Sequence, residues 1–146
     1  MTMSRNFLLK TEPGTYSFET LAKEKKTNWN GVRNFQARNV LKECAKGDFA
    51  LIYHSGDEKS VVGLATVSKD AYPDLDPKKS GDWVQVDLKY ALKFKEPVTL
   101  ATIKSTPALK ALPLIKQSRL SCMEVTQKDF ESLLKMGGAW ADFQAL

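Results

Sequence analysis

The residues best suited to chemistry in this chain fall in one stretch. From Trp29 the sequence reads Trp-Asn-Gly-Val-Arg-Asn-Phe-Gln-Ala-Arg-Asn, ending at Asn39. Holding a single nucleobase outside its stack asks for a planar side chain against the base and amide or main-chain groups on its Watson–Crick edge. It also asks for cations on the flanking phosphates. Trp29, the amides Asn34, Gln36 and Asn39, and the guanidinium groups Arg33 and Arg38 supply one of each type. The arginines stand out because the chain has 22 Lys and Arg, of which only Arg5, Arg33, Arg38 and Arg119 are Arg. Arginine gives planar, bidentate recognition, whereas lysine is a hydrated point charge. A helix starting near Asn34 would add free N–H groups that favour an anion. Each residue also has a structural reading. Trp29 can plug the core under a loop, Asn34 can cap the helix, and Arg38 can sit in a surface ion pair. His54 can be a hydrogen-bonded interior residue, and Tyr53 can belong to a core strand.

Three further clusters lie at strand ends or loops, where function concentrates: Lys10-Thr11-Glu12-Pro13, Tyr53-His54-Ser55 and Arg119-Leu120-Ser121. The first suggests a rival chemistry. A desolvated Lys10 beside Thr11 and Glu12 could run amide hydrolysis, although a salt-bridged turn is the plainer reading. No Gly-Xaa-Ser-Xaa-Gly elbow, P-loop or close Cys/His pair is present. One His and two Cys (Cys44, Cys122) cannot build the usual four-ligand zinc site. No metal and no cofactor are expected.

The elements that must position these residues follow from periodicity. Phe7-Leu8-Leu9 reads as a strand running into the Pro13-Gly14 turn. Ser17 looks like the N-cap of a helix carrying Phe18, Leu21 and Ala22. Residues 27–34 read as a polar loop. Ala37, Val40, Leu41 and Cys44 recur at helical spacing, with Gly47 at a left-handed C-cap. Phe49–Tyr53 and Val61–Val67 read as strands, with Gly63 a bulge or close approach, and Tyr72–Asp82 as a loop. Residues 83–94 alternate strictly: Val84, Val86, Leu88, Tyr90, Leu92 and Phe94 share one face, Trp83 and the polar residues the other. Thr99 and Thr106-Pro107 start two short helices. Leu120–Val125 is a strand, and Thr126 caps a last helix that ends at Gly137-Gly138. The order β-α-α-β-β-β-α-α-β-α predicts an α+β domain around a small curved sheet or barrel.

The chain has 146 residues, a net charge of +5 and 42% hydrophobic residues. That fits one globular domain, 1–146, with residues 139–146 as a C-terminal tail. No apolar run reaches the roughly 18–20 residues of a membrane span, and no secretory signal is visible. The lysines are scattered, as on a solvated surface.

Phe7 to Pro13, Trp29 to Asn39, Tyr53-His54-Ser55, Ala71-Tyr72-Pro73-Asp74, and Leu112-Pro113-Leu114 running to Arg119-Leu120-Ser121 together resemble the successive signatures of the EVE domain. The resemblance covers about residues 6–136. It implies a PUA-like fold, a curved and mostly antiparallel β-barrel with short flanking helices, and a pocket at the barrel mouth that reads a modified base. By position it implies Lys10, Glu12, Trp29, Val32, Asn34, Tyr53, His54 and Ser55 as pocket wall. Arg33, Arg38 and Arg119 would meet phosphates or brace the loop. The implied partner is nucleic acid, modified-cytosine DNA before RNA, bound without catalysis by a monomer or weak dimer. The alternative is a small ASCH-like amidohydrolase or base-modifying enzyme using Lys10, Thr11 and Glu12. Eukaryotic members carry a long basic N-terminal arm. Only five residues precede the match here, so a cytoplasmic, prokaryotic-type form is expected, and a nuclear one if the source is eukaryotic.

Overall fold

The computed structural model describes residues 4–74 and 82–146. Six strands form one sheet: β1 (Asn6–Thr11), β2 (Lys26–Trp29), β3 (Phe49–His54), β4 (Ser60–Pro73), β5 (Val84–Thr99) and β6 (Cys122–Val125), in the spatial order β2-β5-β4-β3-β1-β6. β1 runs parallel to β3, with Leu8 opposite Leu51, and the other pairs are antiparallel. The helices are α1 (Phe18–Glu24), α2 (Phe35–Lys42), α3 (Leu100–Lys104), α4 (Pro113–Lys116), α5 (Gln127–Met136) and α6 (Trp140–Gln144), with a 3-10 turn at Pro107–Leu109.

Interior strands carry unbroken apolar runs because both faces are covered. Phe7, Leu8 and Leu9 of β1 and Ala50, Leu51 and Ile52 of β3 are all buried. Each large side chain of this kind contributes about 1.5–3 kcal/mol of burial free energy. β5 alternates as its sequence demands: Val84, Val86, Leu88, Leu92 and Phe94 are buried, and Tyr90 is half-buried. β2 and β6 are the two edges and no ladder joins them, so the expected barrel is open. Helix α2 closes it instead, packing on β6 near one edge and on β4 and β5 near the other. A sheet touched at both ends by one helix must curl around that helix.

Caps read from sequence are in place. Ser17 Oγ accepts from the Thr20 N–H, Asn34 Oδ1 from the Ala37 N–H, and Thr126 Oγ1 from the Asp129 N–H. Gly63 is a close approach: a Cβ there would lie 2.2 Å from the Phe18 ring, and the β4–β5 register shifts beside it. Other expectations change. Residues 26–29 form edge strand β2, paired with Val86–Lys89 of β5, rather than a loop. Strand β4 extends through Tyr72 and Pro73, residues expected in a loop; part of that loop, 75–81, lies outside the described residues. Helix α2 ends at Lys42 with Glu43 as its C-cap, and Gly47 adopts its positive φ of 98° in the turn leading to β3. Segment 139–146 carries α6, whose Phe143 packs against Phe49 and Phe130 at 5.1 and 5.4 Å between ring centres. Among the described residues, no helix is long and apolar enough to cross a membrane.

Candidate functional site

The ends of β1 and β2 and the loop 30–34 enclose a cleft of about 440 Å³, lined by Lys10, Tyr16, Trp29, Val32, Arg33 and Ser121 among others. That volume is within the roughly 300–1,000 Å³ usual for small-ligand clefts. Trp29 is the last residue of β2, and the sheet's alternation turns it inward, where 9% of it stays exposed. Tyr16 meets it edge-on, 6.2 Å between centres with the rings 89° apart. The Tyr16 hydroxyl donates to Glu24 Oε1 at 2.7 Å, which holds that ring from behind.

The loop after β2 is pinned by one carboxylate. Asp74 Oδ2 accepts from the Gly31 N–H and from Arg33 Nη1, both at 2.9 Å. Gly31 has φ of 82°, a left-handed conformation that glycine adopts without steric cost. The Arg33 hydrogen bond holds the Asp74 carboxyl below its ordinary pKa, with desolvation opposing and the Gly31 N–H assisting. Arg33 also donates to the Val32 carbonyl. The loop therefore arrives at the cleft already shaped.

Lys10 divides this cleft from a second one of about 540 Å³, lined by Glu12, Tyr53, Ser55, Lys59, Lys104 and Arg119 among others. The Lys10 ammonium donates to the Ser118 carbonyl at 2.8 Å and lies 5.6 Å from the Tyr53 ring centre. Burial lowers the Lys10 pKa and raises that of Tyr53. Lys10, Thr11 and Glu12 have separate surroundings. The Thr11 hydroxyl donates to the Tyr16 carbonyl at 2.7 Å, and the Glu12 carboxylate lies over Gly14 and Gly56. A shallower depression of about 350 Å³ holds Asn34, Gln36 and Arg119.

The residues expected to form one pocket are thus distributed. Lys10, Trp29, Val32 and Arg33 share the first cleft; Lys10, Glu12, Tyr53, Ser55 and Arg119 share the second; Asn34 caps α2 at the edge of the third. His54 lines none of them. It is 1% exposed, its Nε2 accepts the Phe18 N–H at 2.9 Å, and its Nδ1 pairs with Glu58. The first N–H groups of a helix have no partner within it, and this ring satisfies one of them for α1. Arg38 lies outside the clefts, 5.0 Å from the Phe35 ring and 5.7 Å from that of Trp83.

Sequence reasoning missed Tyr16, Asp74's hold on the loop, and Trp83. The last left a signal: Trp83 stands in the polar phase of the β5 alternation, where a large aromatic has no core to enter. Among the described residues, no group of three or more His, Cys, Asp or Glu could hold a metal ion.

The EVE domain family model matches residues 5–136. Human thymocyte nuclear protein 1 is 32% identical over an alignment spanning 92% of this chain and 74% of that protein. Among solved structures, one from Agrobacterium tumefaciens superposes with a TM-score of 0.87 at 34% identity, covering 94% of this chain and 95% of that one. The human protein in complex with 5-methylcytosine-containing DNA superposes with a TM-score of 0.84 at 32% identity, covering 92% of this chain and 98% of that one.

Proposed function

This chain belongs to the EVE domain family, and from that premise we propose that it binds DNA and holds one modified cytosine, swung out of the stack, in the cleft of Trp29. The observation that carries the reading is the cleft itself. An indole met edge-on by Tyr16 forms one wall, Lys10 and the Arg33 side of the pinned loop form others, and the volume suits one base with part of its sugar. The human relative solved with 5-methylcytosine-containing DNA supports this choice of polymer and base.

The domain binds without catalysing. The Lys10 ammonium gives one of its three N–H groups to the Ser118 carbonyl and the Thr11 hydroxyl donates to the Tyr16 carbonyl, contacts that hold both as cleft wall. The second cleft, with Lys59, Lys104 and Arg119, suits the flanking phosphates, and Arg33 stays paired to Asp74 as a brace.

Calorimetry with matched oligonucleotides carrying cytosine or 5-methylcytosine, at two salt concentrations, tests the reading. Wild type should prefer the modified strand. Trp29→Ala should weaken its binding by about 1–3 kcal/mol, the usual scale of base–aromatic stacking. Unchanged affinity in Trp29→Ala would remove the base from this cleft. Salt-sensitive binding with no preference for the modification would leave a general polyanion binder.

A further inference from the structure

Among the described residues, the large hydrophobic side chains left exposed are Phe35 and the terminal Leu146. Phe35 opens helix α2 and is 63% exposed. It is nonetheless held: its ring stacks on Trp83, 5.1 Å between centres and 21° from parallel. Trp83 is 8% exposed and has the Arg33 guanidinium 5.5 Å from its ring. The Arg38 guanidinium lies 5.0 Å from Phe35 and 5.7 Å from Trp83. Those distances form a nearly equal-sided triangle. Arg38 therefore stands beside the stacked pair, because a group on the far face of Phe35 would lie about twice as far from Trp83. Among the described residues, none is seen over the outer face of the Phe35 ring, and a guanidinium stands at its rim.

A rigid, solvent-facing ring with a cation at its edge suits a nucleobase with its phosphate. Its position says which base. Val32 and Arg33 line the Trp29 cleft, and Phe35 follows two residues later. Arg33 joins the two features, since the same residue lines the cleft and covers Trp83. Swinging a base out of duplex DNA leaves its neighbours unstacked, at a cost of a few kcal/mol, and an inserted apolar side chain can take the vacated place. We propose that Phe35, backed by Trp83 and flanked by Arg38, is the wedge that enters duplex DNA beside the base held in the cleft. This rests on the reading of the cleft as a base pocket and adds what fills the gap that the base leaves in a duplex.

The test compares wild type, Phe35→Ala and Phe35→Trp on duplex and single-stranded DNA of one sequence. Each DNA carries 5-methylcytosine with 2-aminopurine as its neighbour, and an unmodified set runs beside it. A wedge matters only where a stack must be opened. Phe35→Ala should lower duplex affinity by roughly 5- to 150-fold, the range of one lost stacking contact. It should leave single-strand affinity within about twofold and abolish the rise in 2-aminopurine fluorescence that wild type induces in the duplex. Phe35→Trp should keep that rise. Equal losses on both DNA forms, or no loss on the duplex, would overturn the wedge whatever the methyl preference. A duplex-specific loss without any methyl preference would keep the wedge and remove the modified-base reading. Thermal melting of each variant checks folding, and the exposed position predicts little change.

Discussion

Removing the Asp74 carboxylate should loosen the cleft wall and unfold the protein at a lower temperature. One oxygen, Oδ2, anchors both Gly31 and Arg33 at 2.9 Å. The pair is neither open nor sealed, with 18% of the Arg33 side chain and 12% of the Asp74 side chain exposed. An exposed ion pair is worth about 0–1 kcal/mol, and breaking a fully buried one costs about 3–5 kcal/mol. This pair lies between those limits, so Asp74→Ala should cost about 2 kcal/mol. At roughly 2–4 °C per kcal/mol for a chain near this size, Tm should fall by about 4–8 °C. The carboxyl's pKa is depressed in the folded state. Its contribution is therefore present above the unfolded carboxylate value of about 3.9 and fades as pH drops through the lower folded value. The gap between wild type and Asp74→Ala should be full at neutral pH and shrink under strong acid. Differential scanning calorimetry across pH and amide exchange at Gly31 read these effects. Unchanged Tm with unchanged Gly31 exchange would refute the reasoning, because the loop would then be holding its shape without the carboxylate.

Three further outcomes follow from the packing. His54→Ala should lose about 1–3 kcal/mol in urea unfolding, because the Phe18 N–H is left unsatisfied in the interior, while methylated-DNA affinity stays level; the reverse pattern would make His54 a ligand contact. Gly63→Ala should cost about 1–3 kcal/mol by overpacking, since its new Cβ would stand 2.2 Å from a Phe18 ring that is itself 1% exposed; wild-type stability would show the ring free to move. Burial lowers the Lys10 pKa, so its charge is lost as pH rises towards, but before, the ordinary lysine value. Wild-type DNA affinity should fall over that interval more steeply than that of Lys10→Met, and parallel curves would mean that the Lys10 charge does not touch the bound DNA.

What the sequence revealed depended on whether the signal was local. The β5 alternation and the caps Ser17, Asn34 and Thr126 are written in adjacent residues, and all of them hold. Strand β2 was hidden because Lys-Thr-Asn-Trp buries only its last residue, as suits an edge with water on one side. The function of His54 was hidden because its partner is a main-chain N–H 36 residues away. The division of the expected pocket into two clefts has the same origin. Lys10, Thr11 and Ser121 line both spaces, and the Lys10 main-chain N–H donates to the Ser121 carbonyl at 2.9 Å from a distant part of the chain. Asp74 lies in a motif visible in sequence, yet its two bonded partners are 41 and 43 residues earlier.

Strand β1 is the first of the described elements, yet it lies inside the sheet between β3 and β6. Its register with β6 joins Asn6 to Val125 and Leu9 to Cys122. During synthesis, one side of the Phe7-Leu8-Leu9 run therefore has no partner until nearly all of the domain has been made. An unpaired apolar strand edge is a template for aggregation, and contacts so distant along the chain slow folding. The domain is thus completed late and in one piece, and a chain broken off before Cys122 leaves the apolar edge of β1 open to other chains rather than forming a smaller stable core.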